Sequence, residues 1–456
     1  MDHINFQNIQ LGSPFEGDNE KIKAYSTPDR VILKGGEQWY LKNGVYWVRG
    51  AVNSVIHDFN LNVLYWLNYD TTQFLHKVLH SDNLTEQFNE YIIKFIKAGV
   101  ITSNESDCSS ENIEHLLVNK EKIKSCYIEL TQKCNLKCKH CYNASDDNLK
   151  LSMTLDDFIK IVDQVSEYGI EKLQLIGGEP LLVNRTILFN LLDYASPRFK
   201  SIKIYTNGTL IDNEFAEKVS RYSNVKFSLS LYSFIETEHD KFTGVRGSHK
   251  KTLNAIRYLK ANNIETLYAG IAADELEIGD NPELANDFSL DYVRLVGRGS
   301  LKLYNRELLR KRLKTLDSLN YEWTKENIIN LHHSRCFSRI LYISCNQDVF
   351  PCAMERRLKH GNLKEDNLSN IIQDNILNYS KKDINGCKDC EFRYICFVCP
   401  PDSLSGKLGD KPWNCTYDVY NGKWLNIENY INKILNDDNT NQSSVLHVGG
   451  CRTGVF

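Results

Sequence analysis

The sequence predicts an α/β fold in which a parallel sheet is closed or partly closed into a barrel, and three observations predict it. From about residue 115 to about 300, short apolar runs alternate with amphipathic ones, the order expected of repeated strand and helix units with right-handed crossovers. Turn residues and polar side chains cluster where each strand-like run ends, which is where parallel barrels carry their function. The most distinctive stretch of the chain, Cys134-Asn135-Leu136-Lys137-Cys138-Lys139-His140-Cys141, directly follows the first of those runs.

Taken in order, residues 1 to about 30 are polar and turn-rich, and Val31-Ile32-Leu33 and Val45-Tyr46-Trp47-Val48 suit short strands. Helical spacing is expected from Asn53 to about Leu67, from Thr71 to Leu79 and from Glu86 to Ala98. In the last of these Phe88, Tyr91, Ile92, Phe95 and Ile96 share a face, and Gly99 follows as a stop. The Ser-, Asn- and acid-rich linker 103 to 111 sets a boundary near 115. Strand 127 to 131 leads to the cysteine loop, and Thr154 caps a helix running to Tyr168 with Gly169 as its stop. Strand 173 to 176, helix 185 to 194, strand 202 to 205, helix 212 to 222, strand 225 to 231, helix 248 to 262, strand 264 to 273 and strand 291 to 296 follow. Residues 301 to 330 read as a charged, solvated helix. The expected divisions are 1–115, 116–320, 321–425 and a helix with a tail, 426–456.

With 42% hydrophobic and 25% charged residues over 456 positions, the chain has the makings of a large core in two or three domains. A formal net charge of -3 gives no global field for nucleic acid. No apolar run approaches the roughly 18 to 20 residues of a membrane span, and the start lacks a basic region leading into an apolar one, so the expected location is the cytoplasm. In that reducing compartment clustered cysteines serve metal or redox work rather than disulfides. Eleven of the 14 cysteines fall in three groups, at 134 to 141, 336 to 352 and 387 to 415, and Cys108, Cys126 and Cys451 stand apart as structural or exposed thiols.

Three thiolates on one loop are too few for a closed zinc tetrahedron or a fully protein-held cubane, which leaves one metal position for a small molecule. Further on, the strand-like run 172 to 176 ends in Gly177-Gly178-Glu179-Pro180. The two motifs together, in this order and separation, resemble the radical SAM enzymes. The resemblance implies a partial (β/α)6 barrel, a [4Fe-4S] cluster on Cys134, Cys138 and Cys141, and S-adenosylmethionine on the fourth iron. It implies that Gly177, Gly178, Glu179 and Pro180 face the methionine amino group and that His140 lies beside the adenine. Asn207 and Ser230 become candidates for the ribose hydroxyls, and Arg294 for the methionine carboxylate. The stretch 239 to 248 is similar to the family's loop before helix four, with Ser248 as that helix's cap. No catalytic acid or base is identified.

The later cysteines are Cys336, Cys345 and Cys352, then Cys387, Cys390, Cys396, Cys399 and Cys415. A C-x2-C pair followed by further cysteines is a strong metal signal, and by spacing alone zinc competes with iron. Beside the radical SAM motifs the set resembles the SPASM extension with its two auxiliary [4Fe-4S] clusters. That resemblance implies an outer cluster on Cys387, Cys390, Cys396 and Cys415 and an inner one on Cys336, Cys345, Cys352 and Cys399. Two departures, Gln347 where the pattern has glycine and a Cys396 to Cys399 spacing one residue short, leave room for three protein ligands and an open iron at the inner site. The first 115 residues are similar to the winged, peptide-binding modules of enzymes that modify ribosomal peptides. Segments 390–396 and 411–418 look like the grasp-with-spasm maturases.

The expectation is therefore an enzyme that cleaves S-adenosylmethionine reductively, takes hydrogen from a precursor peptide and forms a thioether, C–C or C–O cross-link, with flavodoxin or ferredoxin as reductant. A SPASM side-chain oxidase of the sulfatase-maturating kind and a non-catalytic zinc scaffold are the alternatives.

Overall fold

The computed structural model describes residues 38–61, 63–80, 89–108, 113, 123–319, 337, 339–372, 379–403 and 407–436. The expectations for residues 1 to 37, for Cys336, for most of 320 to 338 and for the tail with Cys451 lie outside them.

The amino-terminal module starts with β1 (Tyr40–Leu41), β2 (Val45–Arg49), β3 (Ser54–Asp58) and β4 (Val63–Leu67). Here the expected helix from Asn53 to Leu67 is wrong. Val55 faces Trp66 and Ile56 faces Tyr65 across an antiparallel β3–β4 pair, and Asp58 Oδ1 accepts from the Asn60 and Leu61 N–H groups to make the turn. The β-branched and aromatic residues that mimicked a helical stripe pack better on a pleated face. Helices Tyr69–His80 and Asn89–Lys97 follow, then β5 (Ile101–Thr102), antiparallel to β1. Gly99, at φ 72°, ends the second helix in the left-handed conformation that favours glycine.

Next comes the large sheet, which holds nine strands among the described residues. β6 (Ser125–Thr131), β7 (Lys172–Gly177), β8 (Ser201–Thr206), β9 (Val225–Ser230), β10 (Thr266–Ala272) and β11 (Phe288–Tyr292) lie parallel and in sequence order. The fold is thus mixed α/β on a sheet dominated by parallel strands. β12 (Ile340–Ile343) adds parallel to the other flank of β6, and β13 (Asp348–Phe350) and β14 (Gly361–Asn362) continue antiparallel. The described sheet is open, with β11 and β14 at its edges. A last pair, β15 (Tyr417–Asp418) and β16 (Lys423–Trp424), precedes the helix Ile427–Asn436.

The sheet's core forms on the face where alternate residues of β8, β9 and β10 are buried against the helices. Helix Leu155–Glu167 shows the logic: Thr154 Oγ1 accepts from Asp157 N, and Phe158, Ile161, Val162 and Val165 face the sheet at helical spacing. Each such side chain contributes about 2 kcal/mol of burial. The helices Arg185–Ala195, Asn213–Val219 and Ser248–Ala261 match expectation to within a few residues. Four details differ. Glu236–Thr243 is a helix where the loop before helix four is expected, because Gly244 at φ 72° closes it only after residue 243. The sixth strand ends at Tyr292, so Arg294 sits beyond it. Residues 301 to 319 form a helix only over Arg306–Arg312, between two short turns. Gly247 rather than Ser248 occupies the helix cap, and the Ser248 hydroxyl instead contacts Asp240 and Thr243.

Candidate active site

β6 ends at Thr131, and the chain crosses the carboxyl edge of the sheet as the loop of Cys134, Cys138 and Cys141. Its near side is held by the glycine turn: Gly178 N donates to Thr131 O at 2.7 Å and Glu179 N to Lys133 O at 2.8 Å. A Cβ on Gly177 or Gly178 would stand 2.3 Å from those same carbonyls, so only glycine permits the approach. Asn135 donates to Thr209 Oγ1 and accepts from Asn207 Nδ2, both at 2.8 Å. On the far side Arg298 donates its N–H to Cys141 O and its guanidinium to the carbonyls of Cys138 and Ser145, each at 2.9 Å.

Cys134 and Cys138 are buried and Cys141 half-buried, all free thiols. Burial pushes the Cys134 thiol up to about 12; Glu179 and Cys141 add to the rise, while the Leu136 N–H and the Arg298 charge oppose it. Cys138 is raised in the same way, first by burial and then by Cys141 and Cys134. Thiols of this kind bind metal as thiolates, the cation replacing their protons. Among the described residues no three His, Cys, Asp or Glu groups converge on a single-ion site. The thiolates of a cluster bind separate irons and meet no such demand.

Around the thiols, the Glu179 carboxylate is fully buried and accepts from Leu181 N at 3.0 Å, Thr206 Oγ1 at 2.6 Å and Asn207 N at 2.8 Å. Burial raises its pKa against those three bonds. Pro180 opens the short turn Pro180–Leu182 behind it. The His140 ring stacks on Phe242 at 5.1 Å and meets Tyr232 edge-on at 4.9 Å. Burial, with Arg298 second, lowers its pKa to about 4, so it is neutral. Ser230 ends β9 beside Tyr232, to which it is hydrogen-bonded. The Asn207 carbonyl accepts from Thr209. Arg294 stands apart from this group: its guanidinium pairs with Asp402 at 3.3 Å and Asp291 at 3.2 Å. Two buried polar atoms at the thiols, His140 Nδ1 and Arg298 Nη2, have no hydrogen-bond partner among the described residues, as atoms that face a ligand do. The donor set fits a cluster on three thiolates with a polar small molecule beside it.

The second cysteine group lies behind β6. Cys345 N donates to Glu129 Oε2 at 3.1 Å and its thiol to Glu129 O at 3.2 Å. Burial, then Glu129, raises the Cys345 pKa. Tyr142, whose pKa burial raises, is close enough to both Cys141 and Cys352 for each to act on its hydroxyl. Cys399 is among the charges that hold the Arg294 guanidinium protonated. The third group is compact: Cys387, Cys390, Cys396 and Cys415 line a single cavity together with Lys381 and Lys314.

Sequence reasoning missed Arg298, Tyr142 and Lys381. For Arg298 a signal existed, the Gly297-Arg298-Gly299 turn after the sixth strand, where a Cβ on Gly297 would stand 2.4 Å from Cys141 O. The other two carry no local signature.

The profile of the Radical SAM superfamily matches residues 128–274. The antilisterial bacteriocin subtilosin biosynthesis protein AlbA of Bacillus subtilis (strain 168) is 32% identical over 38% of this chain, a match that covers only 40% of AlbA. The sporulation killing factor maturation protein SkfB of the same organism is 26% identical over 58% of this chain and 68% of SkfB. SuiB of Streptococcus suis, solved with precursor peptide SuiA, aligns with TM-score 0.49 and 16% identity over 81% of this chain and 97% of that chain. The cysteine loop and the glycine turn both lie inside the span, residues 128–274, that matches the radical SAM domain, and over parts of its length the chain is similar to AlbA and SkfB.

Proposed function

We propose that this protein is a radical SAM enzyme that matures a ribosomally made precursor peptide by forming an intrapeptide thioether, C–C or C–O cross-link. The observation that carries the reading is the trio of mutually sensing thiols on a loop clamped between the glycine turn and Arg298. A cluster held by Cys134, Cys138 and Cys141, with S-adenosylmethionine beside it, would supply the reductive radical chemistry for removing a hydrogen atom from the peptide. The chain's own part is positional. Cys134, Cys138 and Cys141 hold the cluster, the 177–180 turn sets the loop's distance from β7, and Arg298 supplies fixed positive charge beneath the thiolates. Neutral His140, packed between Phe242 and Tyr232, offers an aromatic face and an unpartnered Nδ1 to the nucleoside, with Ser230 and Asn207 nearby.

Peptide maturation is supported by the names of AlbA and SkfB and by the further cysteines, which we assign to a SPASM-type region with two auxiliary [4Fe-4S] clusters. Residues 38–108 serve in this reading as the precursor-binding module, and flavodoxin or ferredoxin supplies the electron.

Protein purified without oxygen should contain about 12 irons per chain with matching sulfide, four for each of three clusters. With dithionite and S-adenosylmethionine it should release 5'-deoxyadenosine, and changing Cys134, Cys138 and Cys141 together to Ala should abolish that release. A triple variant that still makes 5'-deoxyadenosine overturns the assignment, as does zinc in place of iron.

A further inference from the structure

Lys381 opens the short turn Lys381–Asp383, which is capped by Ser380 and closed by the Asp383 carboxylate. Its side chain is 1% exposed, among the largest fully buried side chains of the protein. An ammonium taken out of water costs several kcal/mol unless charges and hydrogen bonds replace the solvent. Lys381 Nζ donates to the carbonyls of Arg393 and Cys396, the latter a cysteine of the four-thiol cavity that Lys381 itself lines. Lys381 and Lys314 share the wall of that cavity with Cys387, Cys390, Cys396 and Cys415. Lys411 adds a third cation that acts on Cys387 and Cys415, its ammonium fixed on Tyr417 O at 2.6 Å. A lysine is thus buried where its natural counter-charge is a set of thiolates.

We propose that Lys381 is the built-in counter-charge of the four-cysteine site: it stabilises an anionic iron-sulfur cluster on Cys387, Cys390, Cys396 and Cys415 and raises that cluster's reduction potential. The inference rests on the reading of these cysteines as iron ligands. Cluster potentials follow net charge, hydrogen bonds and exposure. One electron entering the cluster, with no proton and no ligand exchanged, would add one negative charge beside a cation that lines the same cavity. The reduced form gains more than the oxidised form, so the potential rises. Lys381 acts through the cluster, as a positioning residue.

The test uses full-length, anaerobically purified wild type, Lys381→Met, Lys381→Arg, Lys314→Met and Cys415→Ala. Iron and sulfide are counted, and each protein is titrated with dithionite under electron paramagnetic resonance, the signal missing in Cys415→Ala marking this cluster. At full iron, Lys381→Met is expected to lower the reduced-to-oxidised ratio at a set potential at least tenfold, which is 59 mV for a one-electron couple. Lys314→Met should shift the ratio the same way by less, and Lys381→Arg should stay near wild type. An unchanged ratio in Lys381→Met at full iron overturns the inference alone. If Lys381→Met loses iron or fails to fold, retention of the cluster by Lys381→Arg supports it. If both fail, Lys314→Met decides, and an unchanged ratio there overturns it. Iron content that does not fall in Cys415→Ala overturns the reading on which the inference rests.

Discussion

Single side chains carry two consequences that can be measured. His57 is buried in β3, and neither ring nitrogen has a hydrogen-bond partner among the described residues. Burial first, and the nearby Arg393 second, hold its pKa at about 3 instead of 6.5. The unfolded chain binds a proton as pH falls through 6.5, whereas the folded chain refuses it until about 3. Neutral His57 therefore contributes its full stability above pH 6.5 and loses it progressively toward pH 3. His57→Phe should flatten this dependence and, by removing two unsatisfied nitrogens, stabilise the protein by about 1 kcal/mol at neutral pH. Urea midpoints at several pH values check both, and an unaltered slope contradicts the assignment. At the other end of the molecule Gly178→Ala places a methyl group 2.3 Å from Lys133 O, one residue before Cys134. The loop must retreat, at a cost of about 2 kcal/mol as for other overpacked sites. Iron bound by the variant should fall by about four per chain, one cluster's worth.

Between elements, the addition of β12 to β6 ties the carboxyl-terminal third to the sheet that carries the cysteine loop. The tie is polar at its centre. Glu129 of β6, fully buried, accepts from Asn143 Nδ2 at 2.9 Å and Cys345 N at 3.1 Å, and faces Arg356 at 3.6 Å. Arg356 also donates to Asn143 Oδ1 at 2.8 Å and Tyr342 OH at 2.6 Å. Removing one partner of such a pair strands a buried charge, so Glu129→Ala should destabilise by about 3 kcal/mol. Combined with Arg356→Met, which removes the stranded cation, it should recover more than half of that loss. Thermal unfolding of both variants and the pair decides; strict additivity excludes the coupling. The same network lies behind Tyr142, within electrostatic reach of Cys141 and Cys352, so disturbing it should alter two cysteine groups together.

At the scale of the whole molecule, the first module and the last cysteine cavity share a hydrophobic cluster. Val48, Val55 and Leu64 pack with Phe392, Tyr417 and Val419, and the cavity's Cys390, Cys396 and Cys415 border it. Polar contacts fix the register: Ala51 N donates to Asp389 O at 2.7 Å, Asn53 Nδ2 to Tyr417 OH at 3.1 Å and Trp66 Nε1 to Glu391 Oε1 at 3.1 Å. Phe392 stands between Trp66 at 6.2 Å and Tyr417 at 5.2 Å. Among the described residues the cavity wall is built from short turns and the β15–β16 pair and depends on its cysteines for shape, so Cys415→Ala should loosen the module resting on it. Hydrogen exchange in β2 to β4 should accelerate at least tenfold, about 1.4 kcal/mol of lost protection. Exchange in β7 to β9 should stay unchanged; uniform acceleration points to global unfolding instead.

What the sequence by itself determined is what is written locally. The Cys134–Cys141 spacing, the 177–180 turn and the strand and helix alternation each depend on neighbours in the chain, and each was legible with bounds good to a few residues. The grouping of Cys387, Cys390, Cys396 and Cys415 apart from Cys399 came from the resemblance and not from local spacing, and these four line one cavity in the fold. The β3–β4 hairpin was misread because its apolar residues satisfy a helical period as well as a pleated one, and only pairing across the sheet distinguishes them. Tertiary structure alone decided that Arg294 pairs with Asp402, 108 positions away, while Arg298 clamps the cysteine loop from 160 positions away. It alone placed Lys381 inside the four-cysteine cavity and the first module against it. Charges are assigned by the partners that folding brings within a few ångströms, and no local pattern encodes those partners.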